Sequence, residues 1–179
     1  MTEVGNVYGE SLYELAKDEN LAKLIGEQLA ALQQAFRQEP DFIRLLSSPN
    51  LTKSERCQVL DSVLQNQVHP YLLNFLKILT EKGYVRQFPG CCDNYVQHYN
   101  RDNGILQVTA FTALPLSNEL RRKLADKLSK TTGKQIELDC RLDPEVLGGV
   151  RLDFDGMQVD GTSRRRLEDI RTILKNTVL

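Results

Sequence analysis

The chain has 179 residues, 41 % hydrophobic and 26 % charged, which fits one ordinary domain or two small ones around a buried core and excludes outright disorder. Its 23 basic and 24 acidic residues leave a net charge of −1, so nothing global draws it to nucleic acid or to an anionic membrane surface. No run of 18 apolar residues exists to span a bilayer, and the opening MTEVGNVYGE lacks the apolar core of a secretory signal.

The first predicted helix covers residues 4–17, with Val7, Tyr8, Leu12, Leu15 and Ala16 spread over a wide arc. Gly9 weakens it by roughly 1 kcal/mol relative to alanine, so it needs tertiary or partner contacts to hold its shape. Residues 20–38 place Leu21, Ile25, Leu29, Leu32 and Phe36 on one helical stripe. Pro40 suits the first position of a short helix carrying Phe42, Leu45 and Leu46, and Ser48-Pro49-Asn50 breaks the chain after it. Thr52 followed by Glu55 is a capping-box pattern opening a helix with Leu60, Val63 and Leu64. Pro70 starts a helix that should run to about Glu81 and stop at Gly83. Phe88, Cys92, Tyr95 and Tyr99 form the stripe of a further helix ending near Asn103-Gly104.

After Gly104 the hydrophobic period changes to two. Residues 105–114 read as a strand, and Ile136, Leu138, Cys140 and Leu142 alternate with polar residues in another. Val150, Leu152 and Phe154 alternate in a third, Asp155-Gly156 is a hairpin turn, and Met157 and Val159 continue on its far side. Ser117 caps a helix of 117–131 whose buried row is Leu120, Leu124 and Leu128. A last helix follows Thr162-Ser163 and buries Leu167, Ile170 and Leu174. The expected class is α+β: a helical bundle over residues 1–104, then a small mixed α/β domain over 105–179 with about four strands and two helices. The first part holds 10 basic and 13 acidic residues and the second 13 and 11, a mild contrast that supports two units more than any ligand.

No catalytic, cofactor or metal site is expected. Cys57, Cys91, Cys92 and Cys140 form no C-x-x-C pair, and His69 and His98 lie far from them in sequence, which is not zinc spacing. Cys91 and Cys92 are adjacent, poor geometry for an ordinary disulfide; all four are read as free thiols, with Cys57 and Cys140 as small core residues. Thr132-Gly133-Lys134 ends like a phosphate loop but lacks the first glycine, has Gln135 where Ser or Thr is needed, and follows a helix. His69 and His98 read as exposed or capping residues, and Glu168-Asp169 and Asp153/Asp155 as solvated faces. The run Arg164-Arg165-Arg166 opposes the dipole at a helix start; it serves either an acidic partner or a solvated face. An RNA-binding module or another small adaptor on the basic second part is the rival function, but no aromatic-rich strand motif supports RNA binding.

The informative surplus lies in the helix from Pro70. Leu72, Leu73, Leu76 and Leu79 suffice to pack it, yet Tyr71, Phe75 and Ile78 form a second stripe. Such a helix is either central in its bundle or covers a partner. Together with the wide apolar arc of the first helix, it points to a groove that receives a third helix.

Several stretches resemble one family. Leu142-Asp143-Pro144-Glu145-Val146-Leu147-Gly148-Gly149-Val150-Arg151-Leu152, then Val159-Asp160-Gly161-Thr162-Ser163 and Arg166-Leu167-Glu168, look like the C-terminal signature of the delta subunit of F-type ATP synthases, the oligomycin-sensitivity-conferring protein family. Tyr8-Gly9-Glu10-Ser11-Leu12-Tyr13-Glu14-Leu15-Ala16 is similar to the family's opening helix, and Asn74-Phe75-Leu76 through Glu81-Lys82-Gly83 to its fifth. The resemblance covers the whole chain and implies a six-helix N-terminal bundle, a smaller α/β domain, and no catalysis or cofactor. It implies a stator that ties the catalytic head to the peripheral stalk and resists rotational torque during proton-driven ATP synthesis. The N-terminal domain would bind N-terminal helical segments of the alpha subunits in a groove between the first and fifth helices, and the C-terminal domain the b subunits. Nucleic acid is not an implied partner. Membrane association would come only through the complex, at the cytoplasmic face of the bacterial inner (plasma) membrane. By the same resemblance Tyr8 and Leu12 line one groove wall and Tyr71, Phe75 and Ile78 the other, while Gly148, Gly149, Asp160 and Gly161 match the signature and are read as turn-forming. The chain departs from the family pattern at Val7, where many relatives carry arginine, at Gly9, where alanine is common, and at Asp153, where relatives often carry a basic residue.

Overall fold

The computed structural model describes residues 2–146, 148–154 and 156–161. It divides into two compact units, Met1–Tyr99 and Asn100–Leu179. Its described elements are seven α-helices and a four-stranded mixed sheet, an α+β chain. No described helix is long and apolar enough to cross a membrane.

In the first unit, α1 runs over Glu3–Asp18, with the Thr2 hydroxyl accepting from Gly5 N at its start. Helix α2 covers Ala22–Gln38 and α3 covers Pro40–Leu46, with proline in the first turn of α3. Helix α4, Lys53–Leu64, opens on the expected capping box: Thr52 accepts from Glu55 N, and Glu55 reaches back to Thr52 N at 2.8 Å. Those bonds hold the Glu55 carboxyl below its ordinary range. Helix α5 is Pro70–Glu81, with His69 Nδ1 accepting from Tyr71 N at 3.3 Å, and Gly83 after it takes the left-handed φ of 77° that ends the run. A 3-10 turn at Val85–Gln87 leads into α6, Phe88–Asp102.

These helices bury one shared apolar cluster, drawn from Leu12 and Ala16 of α1, Ile25 and Leu29 of α2, Leu72 and Leu76 of α5, and Tyr95 of α6, among others. The Tyr95 hydroxyl donates to Ala22 O at 2.8 Å, satisfying the polar tip of a buried ring. Cys91 and Cys92 lie in this cluster, whereas Cys57 and Cys140 are only half-buried, which corrects the expectation that the latter two are core residues. His98 also differs from its expected exposure: its side chain is largely enclosed, with the ring 5.8 Å from Tyr13 and Nε2 3.9 Å from Glu10.

In the second unit, β1 is Ile105–Thr112, α7 Asn118–Thr132, β2 Gln135–Leu142, β3 Arg151–Phe154 and β4 Met157–Asp160. The order across the sheet is β2-β1-β3-β4. Strands β1 and β2 are parallel, from Ile105 opposite Gln135 to Thr112 opposite Leu142, so their link must cross over, and α7 is that crossover. β1–β3 and β3–β4 are antiparallel, and Gly156 in the hairpin has φ 74°. Leu106, Val108, Ala110 and Leu152 form the buried face, with Leu124 and Leu128 of α7 packed on it. Leu120 is 53 % exposed, a correction to the expected buried row. The expected last helix with Leu167, Ile170 and Leu174, and the Arg164–Arg166 run, fall outside the described residues.

Candidate functional site

The surplus apolar residues of α1 and α5 lie where each helix turns its flank away from the core. On α1, Gly5, Gly9, Leu12, Tyr13 and Ala16 are buried, Val7 and Leu15 are exposed, and Tyr8 is half-buried between these faces. On α5, Leu72, Leu76 and Leu79 point inward, Tyr71 is half-buried and Ile78 is 37 % exposed. Lys77, on the other flank of α5, pairs with Asp61 of α4 at 2.6 Å, so the Tyr71–Ile78 flank faces away from α4. Tyr8 meets Tyr84, just past α5, edge to face at 6.0 Å. Of the five residues named from sequence, Tyr8, Tyr71 and Ile78 thus keep accessible surface. Leu12, at 3 % exposure, and Phe75, at 7 %, belong to the core beneath them.

The signature stretch is built differently. Asp143 N donates to Thr112 O at 3.0 Å, and its Oδ1 accepts from Glu145 N at 3.0 Å, closing a turn at the end of β2. Gly148 and Gly149 carry φ of 77° and 84°, which L side chains rarely adopt. Arg151 then returns: its Nη1 is 3.1 Å from Asp143 Oδ2, its Nε 3.8 Å from Asp153 Oδ1, and its guanidinium lies 4.2 Å from the centre of the Phe111 ring. Asp153, with its side chain 41 % exposed, borders this ionic cluster. Asp160 is the last residue of β4 and stands opposite Arg151 in the ladder, so it is not a turn residue. Gly161 N donates to Val150 O at 3.0 Å, and a Cβ there would stand 3.1 Å from that oxygen, so close approach governs this glycine.

The described residues bring no group of three or more His, Cys, Asp or Glu side chains together for a metal ion. Burial pushes the Cys91 thiol up to about 11 and Cys92 higher still, the opposite of an activated nucleophile. The geometry offers apolar surface for binding and a pinned loop.

A profile of the ATP synthase delta (OSCP) subunit family matches residues 4–174. The chain belongs to this family. It is 30 % identical over 176 residues to the ATP synthase subunit delta of Alkaliphilus metalliredigens, covering 98 % of each chain. It is 32 % identical over 173 residues to that of Lactobacillus delbrueckii subsp. bulgaricus, covering 96 % of each. Among solved structures, a chain of the Toxoplasma gondii mitochondrial ATP synthase hexamer matches with a TM-score of 0.73 at 20 % identity, over 97 % of this chain and 98 % of that one, a likeness of fold. As a delta (OSCP) subunit, the protein is a structural, non-catalytic part of ATP synthase: a stator component of the peripheral stalk and peripheral within the complex.

Two features went unnoticed in the sequence of this delta-family chain. Arg151 reads as a polar position of an alternating strand, and only the fold brings it to Asp143 and Phe111. The second is an open apolar cavity of about 830 Å³ among α2, α3 and α4, lined by residues such as Ala35, Phe36, Leu45 and Val63. Its signal was present as Ala31, Ala35 and Val63 beside the core stripes of α2 and α4.

Proposed function

We propose that the protein ties the catalytic head to the peripheral stalk through two separate contacts and so resists the torque of the rotating shaft. In this reading residues 1–104 form a six-helix bundle whose α1/α5 cleft captures an N-terminal helical segment of an alpha subunit. Tyr8, Tyr71 and Ile78 form the accessible walls, and Leu12 and Phe75 support them from below. Residues 105–179 hold the b subunits, with Gly148, Gly149, Asp160 and Gly161 shaping the segments on either side of β3 and β4. The protein then sits at the cytoplasmic face of the bacterial inner membrane, a location supported by the bacterial source of the two relatives above.

A static tie needs slow dissociation at both ends and no chemistry between. Burying an amphipathic helix in an apolar cleft supplies roughly 25 cal/mol per Å² of apolar surface before ordering costs are subtracted. Two contacts in one chain make release of either end reversible without loss of the partner.

The observation that carries the α1/α5 reading is the edge-to-face contact of Tyr8 with Tyr84, just past α5, with Ile78 exposed on the flank of α5 and the core already filled by Leu12 and Phe75. Ile78→Asp places a charge on that flank without entering the core. It should weaken binding of an alpha N-terminal peptide at least roughly tenfold, with an unchanged circular dichroism spectrum and melting temperature. Calorimetric titration giving the same affinity for variant and parent would reject the cleft.

A further inference from the structure

A cavity of about 410 Å³ opens where the end of α2, the end of α3, the 3-10 turn and the start of α6 meet. That volume falls in the range of roughly 300–1,000 Å³ usual for small-molecule sites. Its floor is apolar. Val85 and Phe88 are buried beneath it, and Phe36 and Ile43 are half-buried beside them, with the Phe36 and Phe88 rings 5.2 Å apart. Its rim is cationic: Arg37, Arg44 and Arg86 all line it, and no carboxylate does.

The three arginines stand in different fields. Arg37 and Arg44 lie in the last turns of α2 and α3, where a helix dipole favours a cation. Arg44 is also paired with Asp41 at 2.8 Å. Neither account covers Arg86. It lies in the 3-10 turn that leads into α6, just ahead of Phe88, beside the positive end of that helix's dipole, where a cation is disfavoured. Among the described residues, neither Arg37 nor Arg86 has a carboxylate partner. Gln33, on the same wall, keeps its Nε2 buried without an acceptor. Donors left over above an apolar floor, with no negative group among the lining residues, define their complement: an oxyanion carried on an apolar body.

We propose that this cavity binds a small amphiphilic anion. Its carboxylate or phosphate head would be held by Arg37 and Arg86, and its hydrocarbon or aromatic body would lie on Phe36, Ile43, Val85 and Phe88. The planar guanidinium fork suits either head group. A bound anion would also settle the charge of Arg86 against the start of α6.

The test uses the full chain with octanoate and octyl phosphate as probes. Neutral 1-octanol and acetate serve as controls for the apolar body alone and the head group alone. In a methyl NMR titration the anions should shift Ile43 and Val85 and leave Leu45 and Val63, in the cavity among α2, α3 and α4, in place. One anion or both should bind at least roughly tenfold more tightly than octanol and than acetate. The better binder of the two identifies the head group. A variant carrying Arg37→Gln and Arg86→Gln should bind that anion no more tightly than octanol. Equal affinity for the anions and octanol, or for octanoate and acetate, would overturn the proposal. So would shifts centred on Leu45 and Val63, or anion binding unchanged in the double variant. Both arginines are exposed, so the double variant should melt with the parent. Should it fail to fold, the comparison of anion with octanol on the parent chain decides the question alone.

Discussion

A Cβ built on Gly9 would stand 2.5 Å from the carbonyl oxygen of Cys91 and 2.9 Å from Asn94 Cβ. The glycine that costs α1 helix propensity is therefore what lets α1 and α6 come together. Gly9→Ala should gain about 1 kcal/mol of propensity yet lose about 1–3 kcal/mol to overpacking against backbone. Urea unfolding should show a lower midpoint for Gly9→Ala and none for Gly26→Ala, where the new Cβ would meet only Tyr95 Cε1 at 3.4 Å. The neighbouring thiols make a second argument at this scale. Burial raises Cys91 from 9.0 to about 11 in the folded chain, and Cys92 rises further through burial first and then the nearby Cys91 and Asp93. A folded-state pKa above the unfolded one stabilises fully below the unfolded value and is lost as pH rises. Stability should thus hold up to about pH 9 and fall between about 9 and 11. Ellman's reagent at pH 8 should reach Cys57 and Cys140 in the native chain, and Cys91 and Cys92 only on unfolding. Labelling of Cys92 as fast as Cys57 would refute this.

Helix α5 separates packing from accessible surface along one element. Leu72 is fully buried and Ile78 is more than a third exposed, though both are apolar and lie in the same three turns. Leu72→Ala should cost about 2–5 kcal/mol, and Ile78→Ala no more than about 0.5 kcal/mol, by denaturant titration. Comparable losses would mean that both faces are core. The limits of α5 were readable because proline, glycine and the capping histidine act locally, and the same holds for the Thr52–Glu55 box of α4. The period of two gave β2 and the hairpin for the same reason. What periodicity cannot supply is the neighbour that covers an apolar face. Leu120 sits in the apolar row of α7, but the described sheet reaches only Leu124 and Leu128. Leu12 and Phe75 belong to the same stripes as Tyr8 and Ile78, and only packing shows which lie beneath and which lie on top. Arg151 meets Asp143 across eight residues and Phe111 on the neighbouring strand, pairings set by sheet register.

As a whole molecule, the chain carries, among its described residues, one buried cluster in each unit. The first unit draws on six helices, whereas the described part of the second buries Leu106, Val108, Ala110 and Leu152 under the flanking Leu124 and Leu128. The second unit also holds the Arg151 cluster, in which one guanidinium serves two carboxylates and an aromatic face. Separate cores predict separate unfolding transitions. Calorimetry of the full chain should show two. Arg151→Gln leaves Asp143 and Asp153 without their cation and should cost about 1–3 kcal/mol, lowering the transition of the α/β unit by several degrees and leaving the other in place. Leu72→Ala should do the reverse. In a stator under load, the ionic pin beneath the signature loop would then contribute to the strength of the α/β unit. A single transition displaced equally by both variants would show that the two cores unfold as one and would remove that argument.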